Sequence, residues 1–248
     1  MLEKNYLKKA IIKMKKLNYA GVIQIRLGSK RLKNKSIAKI GNHRLVEWVI
    51  CRTKKAKFLD EVILATTDKP EDKIFKRYAN KYKIKIFYGS EKNVLNRFCE
   101  VAKKYSIKNI VRICADNPLI SPEFIDDLII FYKKNKCDLA FNHISKKKYN
   151  YECINGLGAE IFSSKTLYKI NSKTKNKNYQ EHVTKYYYNK NLFKIKPVPI
   201  KKMYKLPYIN LDVDIKKNLL FLNSFTKKIK SQSILIQKNC KILIICSK

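Results

Sequence analysis

Hydrophobic and polar positions alternate along this chain in blocks that predict its elements. Leu7, Ile11, Met14 and Leu17 recur at helical spacing between lysines, predicting a basic surface helix at the N-terminus. The apolar run 20–25 then reads as a buried strand, and residues 26–35 as a polar loop. Leu45, Val46, Val49 and Ile50 place a helix over 45–57. A strand over 62–65 ends in Thr66, Thr67 and Asp68. A helix starts near Pro70, where proline suits the first turn and Glu71 and Asp72 suit its positive end. Strand 84–87, helix 94–104, strand 109–113, a helix over 122–135 capped by Ser121, and strand 139–141 complete the first part. This strand–helix rhythm predicts an open α/β sheet with helices on both faces.

Beyond Phe141 the rhythm loosens. Residues 156–162 read as a turn entering a strand, 167–170 and 183–188 as helical, and 193–195 as the start of a strand. Residues 173–177 read as an exposed loop. Residues 210–214 read as a strand that puts Asp212 and Asp214 on one face, and 215–229 as a helix returning onto the sheet. The apolar runs 233–236 and 242–245 suit a C-terminal hairpin.

Strand ends in open sheets carry ligands at their carboxyl edge. Three such ends are polar here: Arg26, Thr66 to Asp68, and Asp116 with Asn117. In the loop after the first strand, Gly28 and Ser29 let the backbone approach a phosphate chain while Arg31 and Lys35 neutralise it. The loop has neither the P-loop nor the dinucleotide glycine pattern. A basic surface loop is the competing reading. Asp116 and Asp214 are of the type that holds Mg²⁺ against nucleotide phosphates, with an Asx-turn ahead of Pro118 the competing role for Asp116.

Composition adds a net charge of +37, from 56 basic and 19 acidic residues. Lysine is spread over almost every polar face, whereas all seven arginines lie between Arg26 and Arg112. Diffuse ammonium groups give unspecific attraction to polyanions, not the guanidinium readout of base edges that sequence-specific DNA binders use. No specific nucleic-acid partner is therefore expected. The seven cysteines form no CxxC pair, and the scattered His43, His143 and His182 make no zinc pattern. Apolar runs are far shorter than a membrane span, and no secretory signal is evident, so a cytoplasmic protein is expected.

The motifs together resemble a known family. Ile23-Gln24-Ile25-Arg26-Leu27-Gly28-Ser29-Lys30-Arg31-Leu32 with Lys35 resembles the opening loop of the spore-coat-polysaccharide-type cytidylyltransferases. These are relatives of the enzymes that activate N-acetylneuraminate and 3-deoxy-manno-octulosonate as CMP sugars. The resemblance continues through Ala65-Thr66-Thr67-Asp68, the run from Gly89 to Phe98, and Arg112-Ile113-Cys114-Ala115-Asp116-Asn117-Pro118. It ends with Gly156-Leu157 and Glu160, Glu181-His182-Val183-Thr184, and Asp212-Val213-Asp214. It covers residues 20–222, leaving a basic extension at 1–19 and a C-terminal extension at 223–248.

What the resemblance implies is a Rossmann-like nucleotide-diphospho-sugar transferase fold with a mixed, mostly parallel sheet. It implies transfer of CMP from CTP to a small acidic sugar with release of pyrophosphate, supplying surface polysaccharide. By the same resemblance, Arg31, Lys35, Asp116 and Asp214 are catalytic, and Asp116 and Asp214 hold Mg²⁺. Gln24, Arg26, Leu27, Gly28, Ser29, Thr67, Asp68, Asn93, Arg97 and Ala115 bind the nucleotide. Glu160, Glu181 and His182 meet the acceptor, and the family's habit allows a homodimer. The chain departs from the pattern in having Lys33-Asn34 where relatives carry Pro-Gly, and Ile215-Lys216-Lys217-Asn218 after Asp214. A nucleotide-binding relative without activity, and a phosphonate as acceptor, are the alternatives.

Overall fold

A computed structural model describes residues 16–29, 31–189 and 191–228. The N-terminal helix expected up to residue 15 and the C-terminal hairpin fall outside the described residues. Leu17, expected on that helix, instead begins β1 (Leu17–Gln24), where it pairs with Ile107. The strands that follow are β2 (Lys39–Ile40), β3 (His43–Arg44), β4 (Glu61–Thr67), β5 (Lys85–Gly89), β6 (Ile107–Cys114), β7 (Leu139–Phe141), β8 (Glu160–Ser163) and β9 (Ile195–Pro197). The helices are α1 (Leu45–Thr53), α2 (Phe75–Lys81), α3 (Val94–Lys104), α4 (Pro122–Lys134), α5 (Ser164–Lys173), α6 (Lys177–Glu181), α7 (Lys185–Asn189) and α8 (Lys216–Lys228).

Seven strands make one sheet in the order β5-β4-β1-β6-β8-β7-β9, with β2 and β3 forming a separate antiparallel ribbon. β5, β4, β1 and β6 are parallel. β8 runs antiparallel to β6 and to β7, and β9 is parallel to β7. The expected mixed, mostly parallel sheet is present.

The two-residue period of the strands divides the core between the two faces of this sheet. Ile23, Val62, Leu64, Val111, Ile113 and Ile161 pack with α1, α2, α4 and α8 on one face. Ala20, Val22, Ile63, Ala65, Ile110 and Phe162 pack with α3, α5 and Tyr187 of α7 on the other. Both faces are covered, which is why these strands read as nearly continuous apolar runs rather than as alternating ones.

β1 is the switch in strand order. The chain moves outward from it to β4 and β5, then recrosses to β6 on its other side. Loops leaving the carboxyl ends of β1 and β6 therefore diverge, and a crevice opens between them.

Three expectations need correcting. The helix expected over 45–57 stops at Thr53, and the chain continues through turns closed by Lys55 N–H on Arg52 O and Ala56 N–H on Thr53 O. The helix expected at Pro70 begins as a 3-10 turn, Pro70–Ile74, before α2. Residues 210–214 are not a strand. Their neighbours are loop residues, so they make one bridge, Asn155 with Asn210, and one further bond from Val213 N–H to Asp116 O at 2.8 Å.

Candidate active site

The carboxyl ends of β1 and β6 and the 210–214 segment bring four charged groups together. The Lys35 Nζ lies 3.1 Å from Asp116 Oδ2 and 2.9 Å from Asp214 Oδ1. The Arg31 Nη2 lies 2.8 Å from Asp214 Oδ2. Burial works against the Lys35 ammonium, but Asp116 and Asp214 outweigh it and hold its pKa above the ordinary lysine value. Asp116 is thus engaged by Lys35, a residue 81 positions earlier in the chain.

Local structure explains how Lys35 gets there. Asn34 adopts φ 56° and ψ 24°, the left-handed conformation, and Lys35 opens the 3-10 turn Lys35–Ile37. Asparagine is one of the few residues other than glycine that visits this region readily. Asn34 therefore supplies the bend at the position where relatives carry glycine. After Asp214, the Asn218 Oδ1 accepts Ile215 N–H at 3.2 Å, which closes the start of α8 without the relatives' proline.

Asp212 sits beside this group. Its Oδ2 accepts from Asn155 Nδ2 at 3.0 Å, while its Oδ1 is buried with no hydrogen-bond partner. Burial first, and then the charges of Asp214 and Asp116, push its pKa up. Carboxylate oxygens converging on one cation, with a buried carboxylate oxygen left over beside them, form a donor set suited to a hard divalent ion. Among the described residues no three metal-ligating side chains form a complete cage.

The other residues expected at the nucleotide divide into those that line the crevice and those that support it. Arg26 is partly exposed, with Nη1 3.6 Å from Glu91 Oε1, and Glu91 also meets Lys69 Nζ at 2.7 Å. A Cβ on Gly28 would lie 3.3 Å from Glu91 Oε1, so the loops after β1 and β5 approach closely. Ser29 closes a tight turn through its N–H on Leu27 O at 2.7 Å. Asp68 is exposed, with its N–H on Gly89 O. Asn93 caps α3, its Oδ1 accepting Asn96 N–H at 2.9 Å. Ala115 is buried and donates its N–H to Gln24 O.

Arg97 is 1% exposed, donates from Nη1 to Ser90 O at 3.2 Å, and leaves Nε without a partner. Burial, and then the charge of Arg26, lower its pKa to about 10. Leu27 and Thr67 do not offer hydrogen bonds to the crevice: the Leu27 N–H and the Thr67 hydroxyl both go to buried Asp72.

A second opening lies alongside, over β6 and β8. Arg112, on the same strand face as Cys114, donates from Nε to Gln24 Oε1 at 3.2 Å and from Nη1 to Glu160 Oε2 at 2.7 Å. Tyr188 donates its hydroxyl to Glu160 Oε1 at 2.9 Å. Glu160 is 2% exposed; burial opposes its charge, but the Arg112 guanidinium and the Tyr188 hydroxyl prevail and hold its pKa below the usual range. Burial drives the pKa of His143 down to about 4, leaving a neutral imidazole at neutral pH.

Arg112, His143, Lys146, Glu160, His182 and Lys185 line a cavity of about 390 Å³ here. His182, expected to meet the acceptor, is among the residues that line this cavity. Glu181 is exposed at the end of α6 and is not among the cavity's lining residues. Glu160 is present chiefly as the buried anchor of Arg112.

Sequence reasoning did not single out Arg112, His143, Tyr188, Glu91 or Asp72 as site residues. Arg112 had a signal: with Cys114 and Asp116 it forms an every-second-residue series leading off β6. The others converge only through tertiary contacts.

Known proteins resemble this chain to different depths. The cytidylyltransferase family matches residues 20–240. An uncharacterized protein of Methanocaldococcus jannaschii is 42% identical over 199 residues, covering 80% of this chain and 79% of its own. A spore coat polysaccharide biosynthesis protein of Bacillus subtilis is 28% identical over 213 residues, covering 84% and 85%. Among solved structures, a cytidylyltransferase from Leptospira borgpetersenii superposes with TM-score 0.79 at 25% identity, covering 89% of this chain and 93% of its own. A CMP-2-keto-3-deoxy-manno-octonic acid synthetase complexed with CTP shares the fold, at TM-score 0.64 and 15% identity over 85% and 99%. With a family match over most of the chain and the charged cluster at the switch of its sheet, this protein belongs to the cytidylyltransferase family.

Proposed function

We propose that the protein transfers CMP from CTP to an acidic sugar and releases pyrophosphate. The observation that carries this reading is the convergence of Arg31, Lys35, Asp116 and Asp214 at the carboxyl ends of β1 and β6. An acceptor oxygen would attack the α-phosphorus, forming a new P–O bond as the bond to the β,γ-pyrophosphate breaks. Lys35 and Arg31 would stabilise charge accumulating on the leaving pyrophosphate. Asp116 and Asp214 are the residues that would hold Mg²⁺, which when bound supplies charge neutralisation and orientation of phosphate oxygens. Arg26 and Ser29 would meet the phosphates, and Arg97 the nucleoside.

The acceptor is assigned to the cavity beside Arg112. Lys146, Lys185 and His182 at its rim favour an anionic group, and this supports a sugar acid as substrate. A role in supplying surface polysaccharide follows from the same reading and from the name of the Bacillus subtilis relative. The test is pyrophosphate release with CTP and Mg²⁺ across a panel of keto-sugar acids, neutral sugars and phosphonates. Release with a sugar acid and none with neutral sugars is expected. Release with phosphonates alone would contradict the sugar assignment.

A further inference from the structure

Leu27 and Thr67 belong to different elements, one in the loop after β1 and the other at the end of β4. Their hydrogen-bonding groups meet the same third residue. Asp72, in the 3-10 turn after β4, accepts Leu27 N–H on Oδ1 at 2.8 Å and the Thr67 hydroxyl on Oδ2. An ionised carboxylate only accepts, so the Thr67 hydroxyl is the donor. The Thr67 oxygen in turn accepts Lys69 N–H at 3.4 Å.

Asp72 is 1% exposed and Thr67 is fully buried. A carboxylate taken out of water is costly unless its oxygens are hydrogen-bonded. A helix-start charge would serve equally well in solvent, so the burial of Asp72 asks for another role. Its contacts supply one. Among the bonds that hold the backbone at the start of the phosphate loop, the Ser36 hydroxyl donates to Arg26 O at 2.9 Å, Asp72 accepts Leu27 N–H, and Ser29 N–H closes onto Leu27 O. Of these, Asp72 alone ties the loop to the neighbouring strand β4.

We infer that Asp72 is the positioning residue of the phosphate loop, fixing Leu27 against the end of β4 and so setting where Arg26, Gly28 and Ser29 meet a triphosphate. The inference rests on the CTP reading above. It assigns Asp72 to recognition of the triphosphate and not of the nucleoside.

The experiment has two arms. Amide exchange at Leu27, followed by NMR, reads the loop directly, and calorimetry compares CTP with cytidine. Asp72→Asn keeps an acceptor for Leu27 N–H and turns an amide toward the Thr67 oxygen, so it is the conservative variant. Asp72→Ala is expected to speed Leu27 exchange and to weaken CTP about tenfold while cytidine changes by less than about twofold. Asp72→Asn is expected to keep slow exchange and to hold CTP affinity within about threefold. Thr67→Val shifts CTP in the same direction but less, and serves in place of Asp72→Ala should that variant not fold.

Equal weakening of CTP and cytidine would overturn the inference by showing a general structural role. Unchanged Leu27 exchange in Asp72→Ala would also overturn it. A wild-type protein that binds no CTP would overturn the nucleotide reading and the phosphate role with it. The exchange arm would then still establish whether Asp72 holds the loop.

Discussion

Asp116 and Asp214 share Lys35, so each carboxylate balances a cation as well as facing the crevice. Replacing either with asparagine preserves volume but removes the charge. Asp116→Asn and Asp214→Asn should each lower turnover by about 100-fold or more, a size typical for removing electrostatic stabilisation at a reacting centre. Circular dichroism should show both folded, and near-normal turnover in both would exclude the assignment. His143 gives a second residue-scale consequence. Its folded pKa of about 4 lies below the ordinary histidine value of 6.5. Below 6.5 the unfolded chain takes up a proton that the folded protein refuses, so stability is lost as pH falls toward 4. The loss approaches about 3 kcal/mol at most, by the cost per unit of pKa. Urea unfolding at several pH values should therefore show a flatter acid slope in His143→Gln than in wild type.

At the scale of elements, the first half of the molecule was legible because its signals are local. The strands of the parallel sheet are apolar runs, the cap at Ser121 sits where expected, and α3 matches its predicted 94–104 span. The 210–214 segment misled because Leu211, Asp212, Val213 and Asp214 alternate as a strand would. Periodicity reports which side chains are buried; Leu211 and Val213 are. It does not report whether a neighbouring strand exists to complete a ladder. The segment is instead held by a glycine turn. Gly156 has φ +93°, and a Cβ there would meet Asp212 N at 2.9 Å and Leu211 C at 3.0 Å. Gly156→Ala should thus push the acidic segment away from Lys35, lowering activity by about tenfold or more and costing about 1–2 kcal/mol of stability from the left-handed backbone. Full activity in that variant would show that the segment is not located by this turn.

For the whole molecule, the +37 charge and the fold carry different information. Diffuse lysine accounts for most of the excess, whereas Arg26, Arg31, Arg97 and Arg112 all gather around the crevice and its neighbouring cavity. Arg31, Lys35, Asp116 and Asp214, which the fold brings together, could be picked out in order along the chain. Asp72, Tyr188 and the Arg112–Glu160 pair could not, because their meaning depends on strand order: β8 lies beside β6 although Glu160 is 48 positions beyond Arg112. Among the described residues no helix is long and apolar enough to cross a membrane. The central claim is that the α-phosphorus of CTP ends on an acceptor. Incubation with CTP labelled at the α-phosphate, Mg²⁺ and a sugar acid tests it most directly, with products separated and identified by mass. Label in a CMP–sugar conjugate, matched by unlabelled pyrophosphate, is the predicted result. Label that stays in CTP with every acceptor, while CTP still binds, would contradict it.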